Sequence, residues 1–406
     1  MQANVLHYQN TYLKYTADRE ETGGAYRGFL PSRGAEILLP APQKPQATLS
    51  EALSRFSPHA RDFTLQDLSN LCHHTLGFTR WEATDLYPIH RATPAPRCRY
   101  PIELNWWDGQ QAHRYDPRRH TLTRAAQTVQ NAGEAMSAPG WIISGVPTRL
   151  LNLYGHFASR LMLLTAGHAL AQLQATLNAF DLPFSDPQVQ DFEWPARDEE
   201  FPLVTLPCVP AERPNALLQG LKVPFLQATL SRSSACNADG NGVWPLSRDQ
   251  SLLSLQDMLS ALEVQHPDIQ GHVYVLHAED HKPGVYRAQH GNLHFLRPLP
   301  PDLQDLFTIL GFQARYCTSV WFLSAPTRLL SQQSVTGMAE AHLQAGQVAQ
   351  RIGLAAGGHQ LFARPSGSYH DVNIDATLHG PDTSHSVVYQ LLVGHQRNPG
   401  FGIQLG

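Results

Sequence analysis

The sequence is poor in charged residues and has no long apolar runs. Charged side chains make up 16% of its 406 residues, and 34 acidic residues slightly outnumber 30 basic ones. Nucleic-acid-binding proteins usually carry a basic surplus, so no nucleic-acid partner is expected. No run reaches about 18 apolar residues, so we expect no membrane span. The opening MQANVLHYQNTYLKY lacks the apolar stretch of a secretory signal.

Cysteine is also scarce. The five cysteines are odd in number and form no C-x-x-C pair: Cys72, Cys98, Cys208, Cys236 and Cys317. This pattern argues against a disulfide framework or a zinc site and favours a reduced, cytoplasmic location. No metal site is expected, because His290 and His294 span a turn and have no third ligand. Apolar residues make up 42% of the chain, which is ordinary for globular domains.

Two repeated segments indicate an internal duplication. The pentapeptide PTRLL follows an apolar run at 147–151 and again at 326–330, and the spacing is 326 − 147 = 179. The Ala-rich segments AGHALAQLQATLNAF (166–180) and AGQVAQRIGLAAGGH (345–359) have the same offset, 345 − 166 = 179. Two unrelated matches at one offset are typical of a duplicated domain.

The duplication predicts a mixed α+β fold. Each half reads as a helix, several strands, a long helix and a final strand, which is FPLVTLPCV (201–209) in the first half and VVYQLLVG (387–394) in the second. The Pro-rich ILLPAPQKPQ (37–46) reads as a linker. We expect an N-terminal extension and linker over residues 1–46, a first domain over 47–212 and a second over 213–406.

One segment of the first half has no counterpart in the second. RATPAPRCRYPIELNWW (91–107) combines a proline-rich lead-in with IELNWW, which is predicted to be a strand. Leu65 to Tyr115 spans 50 positions, whereas Leu255 to Tyr286 spans 31, so the second half lacks about 19 residues here. A loop kept in only one copy favours a role at a single site.

At this point the residues resemble a known family. The series RATPAPRCRYPIEL, then YDPRRHTL (115–122), Tyr154-Gly155, Arg160 and AGH (166–168) is similar to the nitroreductase superfamily, specifically the SagB-type dehydrogenases. The resemblance covers nearly the whole chain. It implies FMN and two tandem domains, each a mainly antiparallel sheet flanked by long helices. The two domains would form a pseudo-dimer within one chain, with flavin at their interface.

The resemblance also implies where the cofactor would lie. Arg232-Ser233-Ser234 matches the family's Arg-x-Ser phosphate element, and Arg and Ser are suitable phosphate donors. Arg397 would be a second phosphate cation. The turn formed by Pro365, Ser366 and Gly367 would approach flavin N5. For each of these elements, an ordinary loop or turn remains the alternative.

The proline-rich loop would cross to this flavin from the first half, with Arg91, Ala95 and Arg97 as contacts. The family usually has Pro-Ser-Ala/Gly-Gly where this chain has Pro94-Ala95-Pro96-Arg97. Arg97 is then either a cation near flavin O2 or the substrate, or a side chain that fills the flavin space and leaves the domain non-catalytic.

Three residues are candidates for catalysis. The family places a Lys-Tyr or Tyr-Arg pair before the AGH helix, and Arg160 occupies one of these positions, although arginine stays protonated and is a poor base. Tyr154 and His156 are neighbouring alternatives. His168 is expected to be a packing residue.

The resulting expectation is an FMN-dependent dehydrogenase that oxidises a modified ribosomal peptide, converting an azoline to an azole, with dioxygen reoxidising the flavin. The partners would be a precursor peptide and a cyclodehydratase of the same pathway, and a homodimer stays open. Two alternatives remain: a weakly active or flavin-free scaffold that binds the peptide or a partner enzyme, and a small-molecule flavin nitroreductase.

Overall fold

The structure is a computed structural model. It describes the following residues: 30, 34–54, 57, 59–82, 87–191, 200–211, 220–234, 250–263, 266, 268–301, 303, 317–330, 335–395 and 402–404.

The helices are numbered in chain order: α1 Leu49–Ser54, α2 Leu65–Leu76, α3 Gln127–Glu134, α4 Thr148–Tyr154, α5 Phe157–Ala179, α6 Phe225–Ser231, α7 Leu252–Glu263, α8 Thr327–Leu330, α9 Val335–Gly358 and α10 Asp371–His379. The strands are β1 Ile37–Leu38, β2 Phe78–Glu82, β3 Ile89–Arg91, β4 Ile102–Trp107, β5 Ala112–Asp116, β6 Thr121–Arg124, β7 Gly140–Gly145, β8 Gln188–Val189, β9 Phe201–Pro207, β10 Gln270–Val275, β11 Gly284–Gln289, β12 Asn292–Arg297, β13 Ser319–Pro326, β14 Leu361–Ser366, β15 His385–His395 and β16 Gly402–Gln404.

Two antiparallel sheets repeat one topology. The first has the strand order β1-β6-β5-β4-β7-β9-β8, and the second has β12-β11-β10-β13-β15-β14. The order β6-β5-β4-β7-β9 across the first sheet therefore corresponds, strand by strand, to β12-β11-β10-β13-β15 across the second. In each half a hairpin, β5–β6 or β11–β12, is followed by a central strand that carries PTRLL at its end. The duplicated α+β architecture is confirmed.

The two longest helices pack against each other at the centre of the molecule. Almost every residue of α5 is buried, including the polar side chains of Arg160, His168 and Gln172. A Cβ on Gly167 would lie 2.1 Å from the carbonyl oxygen of Leu343, and one on Gly346 would lie 2.2 Å from that of Leu164. Gly167 and Gly346 are 179 positions apart, so the helices cross at equivalent glycines of the two copies.

The halves also exchange elements. Leu49, Ala52 and Leu53 of α1 belong to a core otherwise built mainly from the second half. In the other direction, β16 near the chain end pairs with β2 in a three-stranded sheet with β3. No helix in the described ranges is long and apolar enough to cross a membrane.

Local structure confirms one predicted strand and revises part of the predicted linker. IELNWW is β4 over its full length, and all six of its residues are buried. The start of α2 has a capping box, in which the backbone N–H of Asp67 donates to Thr64 Oγ1 (3.2 Å) and that of Thr64 donates to Asp67 Oδ2 (2.9 Å). The linker interpretation is wrong for Ile37 and Leu38, because these residues pair with β6 at the sheet edge.

Candidate functional site

A cavity of about 260 Å³ lies where the two halves meet. Its walls include residues 93–98 of the proline-rich loop, residues 364–368 at the end of β14, Arg232 and Ser234 after α6, and Tyr389 of β15. Helices α4 and α5 of the first half contribute Tyr154, Phe157, Leu161 and Thr165. The loop of the first copy and the predicted cofactor elements of the second copy therefore share one cavity.

Arg232 is the central cation of this site. It follows α6 and is only 4% exposed. Its two terminal nitrogens donate to Ser234 Oγ at 3.4 Å and to the carbonyl oxygen of Arg91 at 3.1 Å. Its Nε has no hydrogen-bond partner, and no carboxylate of the described residues pairs with it. Burial lowers the pKa of Arg232 to about 10, which is still far above neutral pH, so the guanidinium remains charged.

Backbone contacts fix the position of the Arg-Ser-Ser element. The N–H of Ala363 in β14 donates to the carbonyl oxygen of Ser233 at 3.0 Å. On the other side, a Cβ at Gly357 of α9 would lie 2.9 Å from the Arg232 backbone nitrogen, so only glycine permits this approach. Ser233 is buried and is not part of the cavity wall, whereas Ser234 is.

The loop from the first half is tightly anchored. The Arg91 guanidinium lies 4.3 Å from the centre of the Tyr100 ring, and the Tyr100 hydroxyl donates to the carbonyl oxygen of Ile89 at 2.7 Å. Arg97, Cys98 and Tyr100 have φ angles of 46°, 49° and 44°. Three left-handed non-glycine residues within four positions are costly, at roughly 1–2 kcal/mol each. Strain of this kind concentrates at functional sites.

Gly367 is where the predicted turn meets the first half. A Cβ on Gly367 would lie 2.6 Å from Cζ of Phe157, so the ring of Phe157 packs directly on this glycine. The same Cβ would lie 3.8 Å from Cδ2 of Leu161, which is one turn further along α5. Pro365, Ser366 and Gly367 all line the cavity, next to these two apolar side chains. The prediction of a turn is wrong for Pro365 and Ser366, because they pair with β15 as the last residues of β14.

The cavity is strongly cationic. Its described lining includes five basic side chains and no aspartate or glutamate; the five are His90, Arg91, Arg97, Arg232 and Arg364. Cations in a partly dehydrated cleft attract and hold anions more strongly than they would in water. The geometry therefore suits an anionic ligand, and Arg91 and Arg232 are the most deeply buried of these cations, at 2% and 4% exposed.

The catalytic candidates lie in different places. Tyr154 lines the cavity, with the Arg97 guanidinium 5.9 Å from its ring centre. Arg160 is buried and does not line it: this side chain donates to the Tyr369 hydroxyl and, at 2.5 Å, to the carbonyl oxygen of Val388. His156 is exposed, immediately before α5, and also lies outside the lining. Arg397 lies outside the described residues.

Behind the cavity lies a polar network that joins both halves. The hydroxyl of Tyr389 lies 3.0 Å from Nε2 of His168, whose Nδ1 lies 2.9 Å from Oε1 of Gln350. Gln350 Nε2 donates to the carbonyl oxygen of Ala92, just after β3. Burial lowers the pKa of His168 to about 3, so the ring is neutral. The network positions the loop, as expected for a packing histidine.

Sequence reasoning missed two residues of the cavity wall and a buried carboxylate beside them. His90 and Cys98 line the cavity, and Sγ of Cys98 lies 3.9 Å from Nδ1 of His90. Nε2 of His90 lies 3.4 Å from Oε2 of Glu82, a buried carboxylate on the neighbouring strand. No spacing in the sequence signals this contact, because it depends on the pairing of β2 with β3.

No family model and no curated protein matches the chain. Among solved structures, a protein of Anabaena variabilis described as a nitroreductase is similar, with a TM-score of 0.69 and 16% identity over 96% of this chain and 99% of that chain. A protein of Ralstonia eutropha described in the same way matches with a TM-score of 0.33 and 16% identity, over 46% of this chain and 97% of that one.

A chain of the Escherichia coli microcin synthetase McbBCD complex with truncated pro-MccB17 bound matches with a TM-score of 0.32 and 15% identity, over 41% of this chain and 76% of that chain. The Anabaena structure is similar over nearly the full length, and at 16% identity this similarity concerns the fold alone. The chain has a nitroreductase-type α+β fold.

Proposed function

We propose that the chain is an FMN-dependent oxidoreductase whose single cofactor site is the cavity between its halves. The observation that carries the proposal is Arg232, a buried arginine whose Nε has no hydrogen-bond partner and which no carboxylate of the described residues neutralises. Burying an unpaired charge costs several kcal/mol. A phosphate bound at this position would supply both the missing acceptor and the missing charge.

The residues fit the phosphate end of FMN. Arg232 and Ser234 face the cavity together, and Arg364 adds a second cation to its wall. Arginine is the preferred partner of phosphate because its planar fork donates two parallel hydrogen bonds. Pro365, Ser366 and Gly367 would lie beside the flavin ring, and Ala95 and Arg97 would reach it from the first half.

The cavity is small for a flavin. A volume of about 260 Å³ lies below the roughly 300–1,000 Å³ that is usual for ligand pockets. Admitting the ring therefore requires side chains at the wall to move, and Phe157 and Arg97 are the bulky ones next to the Gly367 turn and the loop. This supports the reading of Arg97 as a side chain that occupies ring space in the ligand-free protein.

FMN, when bound, supplies a hydride acceptor. The chain must supply an acceptor for the proton that leaves the substrate carbon. Tyr154 is the one of the three catalytic candidates on the cavity wall. The Arg97 guanidinium lies 5.9 Å from the centre of the Tyr154 ring, so a cation lies beside the proposed proton acceptor.

We further propose that the substrate is a ribosomal peptide containing an azoline ring, oxidised to an azole in the cytoplasm. This substrate is supported by the ordered series of SagB-type motifs in the sequence. The cationic cavity wall separately supports an anionic or polar ligand. A precursor peptide and a cyclodehydratase of the same pathway are the proposed partners.

The test is turnover by the FMN-reconstituted protein. An azoline-containing peptide should lose two hydrogen atoms per ring by mass spectrometry, without NADH or NADPH. Tyr154→Phe should slow this loss while FMN stays bound, and His156→Gln, a neighbouring change outside the cavity, should leave it unaltered. Peptide binding without mass loss would instead support a scaffold, and rapid NAD(P)H oxidation with a nitroaromatic would support a small-molecule reductase.

A further inference from the structure

Cys98 lies at a position of the cavity wall that the proposed flavin chemistry does not use. The thiol is half-buried and is not in a disulfide. Two groups that stabilise a thiolate lie beside it: the His90 ring, whose Nδ1 is 3.9 Å from Sγ, and the guanidinium of Arg232. Thiolates form most readily beside His, Lys or Arg in partly exposed positions.

The carboxylate of Glu82 lies on the other side of the His90 ring from the thiol. Nε2 of His90 lies 3.4 Å from Oε2 of Glu82, while Nδ1 faces the thiol. Burial alone would raise the pKa of Glu82, but His90 and Arg80 together hold it below its ordinary value, so the carboxylate is charged. A carboxylate beside one ring nitrogen favours the tautomer whose other nitrogen is free to face the thiol as an acceptor. Cys98, His90 and Glu82 thus form a continuous chain ending at the cavity.

A second observation points to what enters this cavity. Arg232 is buried, lines the same wall, and has a nitrogen with no hydrogen-bond partner. The charge of Cys98 lies close enough to Arg232 to oppose the effect of burial on the pKa of that arginine. The thiol therefore sits where an anionic ligand would bind, whichever cofactor the cavity takes.

We propose that Cys98 is an activated thiol that reacts with small disulfides carrying carboxylates, forming a reversible mixed disulfide in the cavity. His90 accepts the thiol proton, and the thiolate sulfur attacks one sulfur of the disulfide. The disulfide bond breaks, the second half leaves as a thiolate, and an S–S bond forms at Cys98. Cys98 is oxidised, the small disulfide is reduced, and a thiol reductant reverses the reaction.

Alkylation by iodoacetamide tests the activation. Peptide mapping should show that Cys98 reacts with a pH midpoint below about 7.5, compared with about 8.5 for an ordinary thiol. Cys208 is the internal control, because burial raises the pKa of its thiol and it should stay unmodified at neutral pH. A Cys98 midpoint at or above about 8.5 would overturn the proposal.

Two histidine variants separate activation from general structure. His90→Gln should slow alkylation of Cys98 at pH 7 by about tenfold, equivalent to a shift of one pH unit in the midpoint. His113→Gln is the matched control: His113 also faces a carboxylate, Asp108 at 2.9 Å, but lies outside the cavity lining. Equal rates in the two variants would contradict the role of His90.

The choice of disulfide tests the cavity charge. Glutathione disulfide should add one glutathionyl group to Cys98, and at low salt it should do so faster than the neutral 2-hydroxyethyl disulfide. High salt should remove the difference, because the cations steer only the anionic reagent. Dithiothreitol should remove the group. Equal rates for the two disulfides at low salt, or addition elsewhere with Cys98 untouched, would refute the proposal even if FMN binds.

Discussion

Replacing Arg232 with methionine should change stability and FMN affinity in opposite directions. Without ligand, the buried guanidinium makes two hydrogen bonds to neutral acceptors, at 3.1 and 3.4 Å. The 3.1 Å bond returns about 1.5–3 kcal/mol because its donor is charged, and the longer one returns less, whereas desolvating the charge costs several kcal/mol. Arg232→Met should therefore raise the free energy of unfolding of the ligand-free protein by about 1–3 kcal/mol.

With FMN bound, the unchanged protein should be stabilised more than the Arg232→Met variant. A charge-assisted hydrogen bond is worth about 1.5–3 kcal/mol, and its loss would weaken FMN binding about 10- to 150-fold. At an FMN concentration 100 times the dissociation constant, the unchanged protein gains about 2.7 kcal/mol of stability. The variant should gain much less at the same concentration.

The assay is urea unfolding with and without FMN, combined with titration of flavin fluorescence. Arg351→Met is the control, because Arg351 is also buried but does not line the cavity, and its FMN affinity should be unchanged. A variant at Arg232 that is less stable without ligand and binds FMN as tightly as before would refute the reasoning.

Three further changes test the loop, the helix crossing and a buried acid. Arg97→Gly should stabilise the ligand-free protein by about 0.5–1 kcal/mol, because glycine relieves the left-handed φ of 46° at this position. It should also speed FMN entry in stopped-flow. The control Arg99→Gly should destabilise the protein, because Arg99 has an ordinary φ of −77°. Gly167→Ala should lower the free energy of unfolding by at least about 1–3 kcal/mol, because its Cβ meets the opposite backbone. Burial raises the pKa of Asp371 to about 7. The folded protein therefore holds a proton that the unfolded chain loses above about pH 4, and the free energy of unfolding should fall as pH rises from about 4 to 7. Asp371→Asn should flatten this fall in urea titrations.

Repeated segments and apolar patterns predicted much of the fold. Equal 179-residue offsets identified the duplication, and in the structure they place Gly167 opposite Gly346 at the helix crossing. The aromatic run IELNWW forms β4 over its full length, from its first residue to its last. Such features are predictable because they depend on local periodicity and on repetition, both of which are written in one stretch of chain.

The cavity was predictable only in part. Arg232 and the Gly367 turn were found through a family motif, and the structure brings both to the proline-rich loop of the other half. Arg160 was placed by the same kind of match, but the buried helix α5 directs it to Val388 and away from the cavity. Which face of a helix buried on all sides meets a cavity cannot be read from its pattern.

The Cys98–His90–Glu82 chain had no sequence signal. Its members are eight positions apart in each step, and strand pairing together with the left-handed turn at Cys98 brings them into line. Contacts of this kind depend on the register of β2 and β3 and on an unusual backbone conformation. Neither can be derived from residue spacing, so only the structure reveals them.

The most direct test of the central claim is to compare retention of FMN and riboflavin by the purified protein in equilibrium dialysis. The two ligands share the flavin ring, and riboflavin lacks the phosphate that Arg232 is proposed to hold. The account predicts that FMN is retained stoichiometrically and at least about tenfold more tightly than riboflavin. Equal retention of both, or retention of neither, would contradict a flavin site built around Arg232.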